Sequence, residues 1–144
     1  MALIRSVLHL LLLIITVVPY TAGVLLVRAF GGSPAARYRV ARAWLALVVD
    51  SADWILGIRR RVTGLEHLPS DPAQGVVLLV KHQSAYETFL MPALMPRQLA
   101  YVFKKELLKV PFFGWSIGSL DMIHIDRDHP ARAFIKVLKQ GRRL

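Results

Sequence analysis

From Val7 to Val27 the chain carries 21 successive residues with no Asp, Glu, Lys or Arg. As a helix rising 1.5 Å per residue, such a run spans about 30 Å, enough to cross the hydrocarbon core of a bilayer. Pro19 and Gly23 lie inside it, so the pattern allows a crossing kinked near Pro19 or a re-entrant hairpin. A secretory signal is the competing reading, but the run exceeds a signal's apolar core and no small-x-small cleavage pattern follows it. A second apolar stretch sets Trp44, Leu47, Val48, Ser51, Ile55 and Ile58 at helical spacing with Asp53 opposite. That predicts an amphipathic helix, docked among lipid headgroups or packed on the rest of the chain.

After Gly64 the pattern changes to short alternating elements. Gly75–Val80 is a continuous apolar run between turn formers, the signature of a strand buried on both faces. A helix is predicted from Ser84 to Met95, a strand over Leu99–Phe103, and a helical stretch over Lys105–Leu120 interrupted at Pro111 and Gly114. A third strand follows over Met122–Asp126, then a helix from Pro130 to Gln140 with Gly141 as its stop. The pattern is α/β: an N-terminal membrane-anchoring helix or hairpin followed by a mixed sheet flanked by helices. Residues 1–61 form the anchor and interfacial helix, and residues 62–144 the layered part.

Composition sharpens this division. The chain has 144 residues, 55% hydrophobic, with no cysteine and a net charge of +10. Length bounds it to one domain, and the absence of cysteine excludes a disulfide scaffold, a zinc ribbon and a thiol nucleophile. A greasy, basic chain suits an anionic membrane surface better than nucleic acid, because its aromatic residues fall in apolar runs rather than among its basic residues. Up to Gly57 there are 5 basic and 2 acidic residues, and beyond it 14 and 7, so most of the basicity lies past the anchor. Only Arg5 precedes the apolar run, whereas Arg28, Arg37, Arg39, Arg42 and Arg59 to Arg61 follow it. This asymmetry assigns the bulk of the chain to the cytoplasmic face of a membrane. Arg132, Lys136, Lys139 and Arg143 form a stripe on the last helix, read first as a solvated face and alternatively as a phosphate contact.

Lys81-His82-Gln83-Ser84-Ala85-Tyr86-Glu87-Thr88 follows the first apolar strand candidate. A His leaving a strand and a carboxylate in the next helical turn come within hydrogen-bond reach. The imidazole can then take a proton from a substrate hydroxyl while the carboxylate orients it. Ser84 and Glu87 also fit a capping box, in which the same carboxylate reaches back to the Ser84 amide. Both uses of Glu87 stay open at this level. The Gly-x-Ser-x-Gly, P-loop and dinucleotide fingerprints are absent, which leaves a serine hydrolase, an NTPase and a Rossmann oxidoreductase without support.

The same octapeptide resembles the first motif of the membrane-bound glycerolipid acyltransferases, in particular the 1-acylglycerol-3-phosphate acyltransferases, written N-H-Q-S-x-x-D. Gly64-Leu65-Glu66-His67-Leu68-Pro69 is similar to the lead-in G-x-E-N-L-P of that family. Phe103-Lys104-Lys105-Glu106-Leu107 with Val110-Pro111-Phe112-Phe113-Gly114-Trp115 is similar to its A-K-K-E-L…V-P-x-x-G-W segment, and Met122 to Arg127 to its second motif. The resemblance covers about Val62 to Arg127, in order. It implies that His82 is the general base, that Glu87 orients it, and that Arg127, with Lys104, holds the phosphate of the acyl acceptor. The implied reaction moves a fatty acyl group from acyl-CoA or acyl carrier protein to the free hydroxyl of lysophosphatidic acid, without a metal or cofactor. Another lysolipid acceptor, such as a lyso-ornithine lipid, and a catalytically silent membrane-binding fragment are the alternatives. From the residues themselves, an ion pair with Asp126 or Asp128 is a further reading of Arg127.

Three departures accompany the resemblance. Glu87 stands where the family has Asp, Asp121 replaces a Gly, and His124 replaces a Phe and is read as a packed polar group. The third motif, F-P-E-G-T-R, does not occur before Leu144, so an incomplete sheet and a truncated chain are expected.

Overall fold

In the computed structural model, which describes residues 1–71 and 74–143, the apolar run lies inside one continuous helix, α1 (Ala2–Ala29). At 28 residues it is about 42 Å long, and Pro19 sits within it without reversing the chain. The reversal comes instead at Gly31, whose φ of 72° is a left-handed conformation open to glycine. Ser33 then caps α2 (Pro34–Ser51), its hydroxyl accepting from the Ala36 amide at 3.2 Å with Pro34 in the first helical position.

The two helices run antiparallel. His9 Nε2 meets the Val48 carbonyl at 3.2 Å, Trp44 Nε1 donates to Thr16 Oγ1 at 3.0 Å, and Gly23 lies against Val40. α2 therefore starts ten residues before the Trp44 end of the expected amphipathic stretch. Its apolar face, with Trp44 and Val48, turns inward onto α1 and onto α3 (Ala85–Leu94). A π-helical turn (Ala52–Leu56) ends the segment at Gly57, φ 73°, and leaves Trp54 exposed. Trp44 is the hub of the core, meeting the Phe89 ring edge-on at 6.0 Å and the Phe113 ring at 6.4 Å.

The strand expected over Gly75–Val80 is not formed. The segment makes no ladder among the described residues, and Val77 and Leu79 are 85% and 93% exposed. A strand buried on both faces needs hydrogen-bonded neighbours and covering layers, and here neither is present. The sheet consists of β1 (Val102–Lys104) and β2 (Ile123–Ile125), which pair in parallel with Phe103 opposite His124 and Lys104 opposite Ile125. Among the described residues the mixed sheet of the sequence reading is thus a two-stranded parallel one; β1 takes only the end of the expected Leu99–Phe103 strand and runs one residue past it to Lys104, and β2 is shorter than Met122–Asp126.

Between the strands the chain forms a 3₁₀ turn (Lys105–Lys109) and α4 (Phe113–Gly118), with the break falling at Pro111 as the sequence indicates. Gly114 is packed so closely on the Leu107 and Leu108 carbonyls that a Cβ would clash with both oxygens. α5 (Pro130–Gly141) packs on β2 through Ala133 and leaves Phe134, Ile135 and Leu138 exposed.

Candidate active site

Ser84 initiates α3 from an extended conformation, φ −145° and ψ 171°. Its hydroxyl accepts from the Tyr86 amide at 3.1 Å, while Glu87 Oε2 accepts from the Ser84 amide at 2.8 Å and from its hydroxyl at 2.7 Å. The capping box is therefore formed. The same Oε2 lies 4.0 Å from His82 Nδ1. That distance is an ion-pair approach rather than a hydrogen bond. The two uses of Glu87 are not exclusive, because the oxygen that closes the helix start is also the one turned toward the imidazole. The Ser84 hydroxyl is the main cause holding the Glu87 carboxyl below the usual carboxylate range, with His82 adding to it, so Glu87 is anionic at neutral pH.

The other ring nitrogen, His82 Nε2, lies 2.8 Å from Thr88 Oγ1. Ser84, Glu87 and Thr88 stand at i, i+3 and i+4, on the face of α3 that His82 covers. Sequence reasoning passed over Thr88. Its only signal was a hydroxyl one turn beyond the cap, and the approach of His82 follows from how the chain enters the helix.

Lys104 ends β1, and Arg127 lies in the turn just past β2, so both leave the carboxyl edge of the parallel pair and both are exposed. Arg127 does not take the ion pair considered for it. Asp126 pairs with Lys105 Nζ instead and accepts from the Asp128 amide at 3.0 Å. The Lys105 ammonium pulls the Asp126 carboxyl down, and Asp126 in turn raises Lys105. The structure thus groups His82 with Glu87, and Lys104 with Arg127. Among the described residues, no hydrogen bond or ion pair joins the two groups. His124 packs against Phe103, ring centroids 6.2 Å apart, and burial followed by Lys136 lowers its pKa.

Behind Thr88 lies an apolar cavity of about 90 Å³ whose walls include Thr21, Tyr38, Trp44, Phe89, Phe103 and Phe113. These residues come from α1, α2, α3, β1 and α4, so no single stretch of sequence announces the cavity. Tyr101 also lines it and donates to the Thr88 carbonyl at 3.4 Å, and burial pushes its phenol well above the ordinary range.

A family model described as Acyltransferase matches residues 59–144, which include the His82 segment, both strands and α5. A Pseudomonas aeruginosa protein named 1-acyl-sn-glycerol-3-phosphate acyltransferase is 43% identical over 107 residues, 74% of this chain and 40% of that protein. A Saccharomyces cerevisiae protein of the same name is 30% identical over 87 residues, 60% of this chain and 27% of that protein. A mouse protein, 1-acyl-sn-glycerol-3-phosphate acyltransferase alpha, is 32% identical over 83 residues, 58% of this chain and 28% of that protein. The chain spans two-fifths or less of the length of these relatives. No solved structure matches it.

Proposed function

Because the chain belongs to the acyltransferase family, we propose that it transfers a fatty acyl group from acyl-CoA or acyl carrier protein to the sn-2 hydroxyl of 1-acylglycerol-3-phosphate, giving phosphatidic acid. The observation that carries this reading is His82, with a carboxylate 4.0 Å from Nδ1 and a hydroxyl 2.8 Å from Nε2. In the proposed step Nε2 takes the acceptor's hydroxyl proton as the oxygen attacks the thioester carbonyl. The C–S bond breaks, and the thiolate leaves and gains a proton. Glu87 stabilises the imidazolium that forms.

Arg127 and Lys104 supply positive charge at the carboxyl edge of the strands, where parallel sheets collect ligands, and Arg127 can grip a phosphate with two donors. The apolar cavity beside Thr88 offers hydrocarbon surroundings to a substrate tail.

α1 supports membrane association, being long and apolar enough to cross a bilayer. One of its faces is packed along α2, whose Arg37, Arg39, Arg42 and Asp50 would enter the bilayer with it. Embedding the free face of the hairpin from the cytoplasmic side avoids that cost and agrees with the basic residues that follow α1.

The test is acyl transfer to lysophosphatidic acid by the whole chain beside His82→Ala. Turnover should fall by about 10²–10⁴-fold in the variant without loss of folding. Equal turnover in the two removes His82 as base, and transfer only to another lysolipid replaces the acceptor.

A further inference from the structure

We propose that Thr88 is a positioning residue for His82: its hydroxyl donates to Nε2, keeps the ring proton on Nδ1 facing Glu87, and occupies the place that the acceptor's hydroxyl takes. The inference rests on the reading of His82 as base, but its hydrogen-bond part stands on geometry alone.

A neutral imidazole has one donor nitrogen and one acceptor, and an ionised carboxylate only accepts. With Glu87 Oε2 4.0 Å from Nδ1, a proton on Nδ1 faces an anionic acceptor, whereas a lone pair there would face a negative charge. Nδ1 is therefore the protonated nitrogen and Nε2 carries the lone pair. A hydroxyl can donate or accept, and 2.8 Å from a lone pair it donates. His82 is 60% exposed, so these two neighbours, rather than burial, set the rotation and tautomer of the ring.

The consequence for chemistry is specific. The lone pair that would remove a proton from an incoming alcohol is already engaged by an alcohol, and in the same geometry. Threonine on a helix has a second acceptor for its hydroxyl in the carbonyl one turn back, here that of Ser84. Rotation about χ1 therefore exchanges one hydrogen bond for another and frees Nε2 when a substrate hydroxyl arrives. Thr88 also lines the apolar cavity, so the exchange happens where the polar site meets the hydrocarbon one.

The experiment compares the whole chain with Thr88→Val, which keeps the shape and removes the hydroxyl, and with Thr88→Ser, which restores it. Long-range nitrogen–proton NMR correlations of neutral His82 should show the Nδ1–H tautomer in the wild type, a shift toward Nε2–H in Thr88→Val, and recovery in Thr88→Ser. In acyl transfer, kcat should fall about tenfold in Thr88→Val with KM for lysophosphatidic acid little changed, and return in Thr88→Ser. An Nε2–H tautomer in the wild type, or an unchanged tautomer and kcat in Thr88→Val, overturns the proposal. Loss of acyl transfer in the wild type, with the tautomer still responding to Thr88→Val, overturns the functional reading alone and supports the hydrogen bond.

Discussion

Glu87 closes the start of α3 and faces His82 with a single oxygen, so one substitution reports on both duties. In Glu87→Gln the amide oxygen still accepts from the Ser84 amide, and α3 keeps its start. The negative charge opposite the imidazolium is lost, and turnover should drop by about a hundredfold in the acyl-transfer assay. Near wild-type turnover with lowered thermal stability would leave Glu87 as a cap alone. The carboxyl is held below its ordinary value in the folded state, so its stabilisation is present above the unfolded pKa and is lost as pH falls through the folded one. Melting temperatures of wild type and Glu87→Gln should therefore differ most near neutrality and converge only as pH falls through the lowered carboxyl pKa of the folded state. His82 and Glu87 were legible because a motif fixes their spacing. Thr88 was not, since nothing in the order of residues says which hydroxyl an entering imidazole will meet.

Helix boundaries follow local chemistry, and strand pairing does not. The start of α3 at Ser84, the break at Pro111 and the start of α5 at Pro130 all lie where capping and proline rules put them. Gly75–Val80 has the composition of a strand but no partner among the described residues, and β1 and β2 pair over only three residues each. Pairing is a property of two segments, so one apolar run cannot disclose it. Close packing is likewise non-local: the space behind Gly114 is filled by the carbonyls of Leu107 and Leu108. A methyl group there must displace backbone. Gly114→Ala should therefore destabilise the fold by about 2 kcal/mol in urea titration, while Gly141→Ala, which meets nothing, should be neutral or slightly stabilising.

At the scale of the molecule, α1 carries two faces with different neighbours. His9, Thr16 and Gly23 lie against α2, whereas Leu3, Ile4, Leu10, Ile14 and Ile15 form an exposed stripe on the other side of the helix. A surface of that size and continuity suits lipid rather than water. The paired substitution Leu10→Ser with Ile14→Ser should lower partitioning into anionic phospholipid vesicles by at least about tenfold, read by flotation. Its melting temperature in detergent should not change, because neither side chain is in the core. Retained partitioning would move membrane contact to another face, with the exposed α5 residues Phe134 and Ile135 next to test.

The sequence by itself determined the long apolar helix, the capping-box pattern, the His82–Glu87 spacing and the family resemblance, since each depends on residues close along the chain or on a motif in fixed order. Only the tertiary structure decided that the chain turns back at Gly31 and not at Pro19, and that Trp44 faces the core. It also decided that Gly75–Val80 stands unpaired and that Thr88 holds the second nitrogen of His82 beside an apolar cavity. The burial of Trp44 and the cavity arise where segments far apart in the chain meet, the His82–Thr88 contact depends on how the chain enters α3, and burial, pairing and ring orientation have no value until both partners are in place.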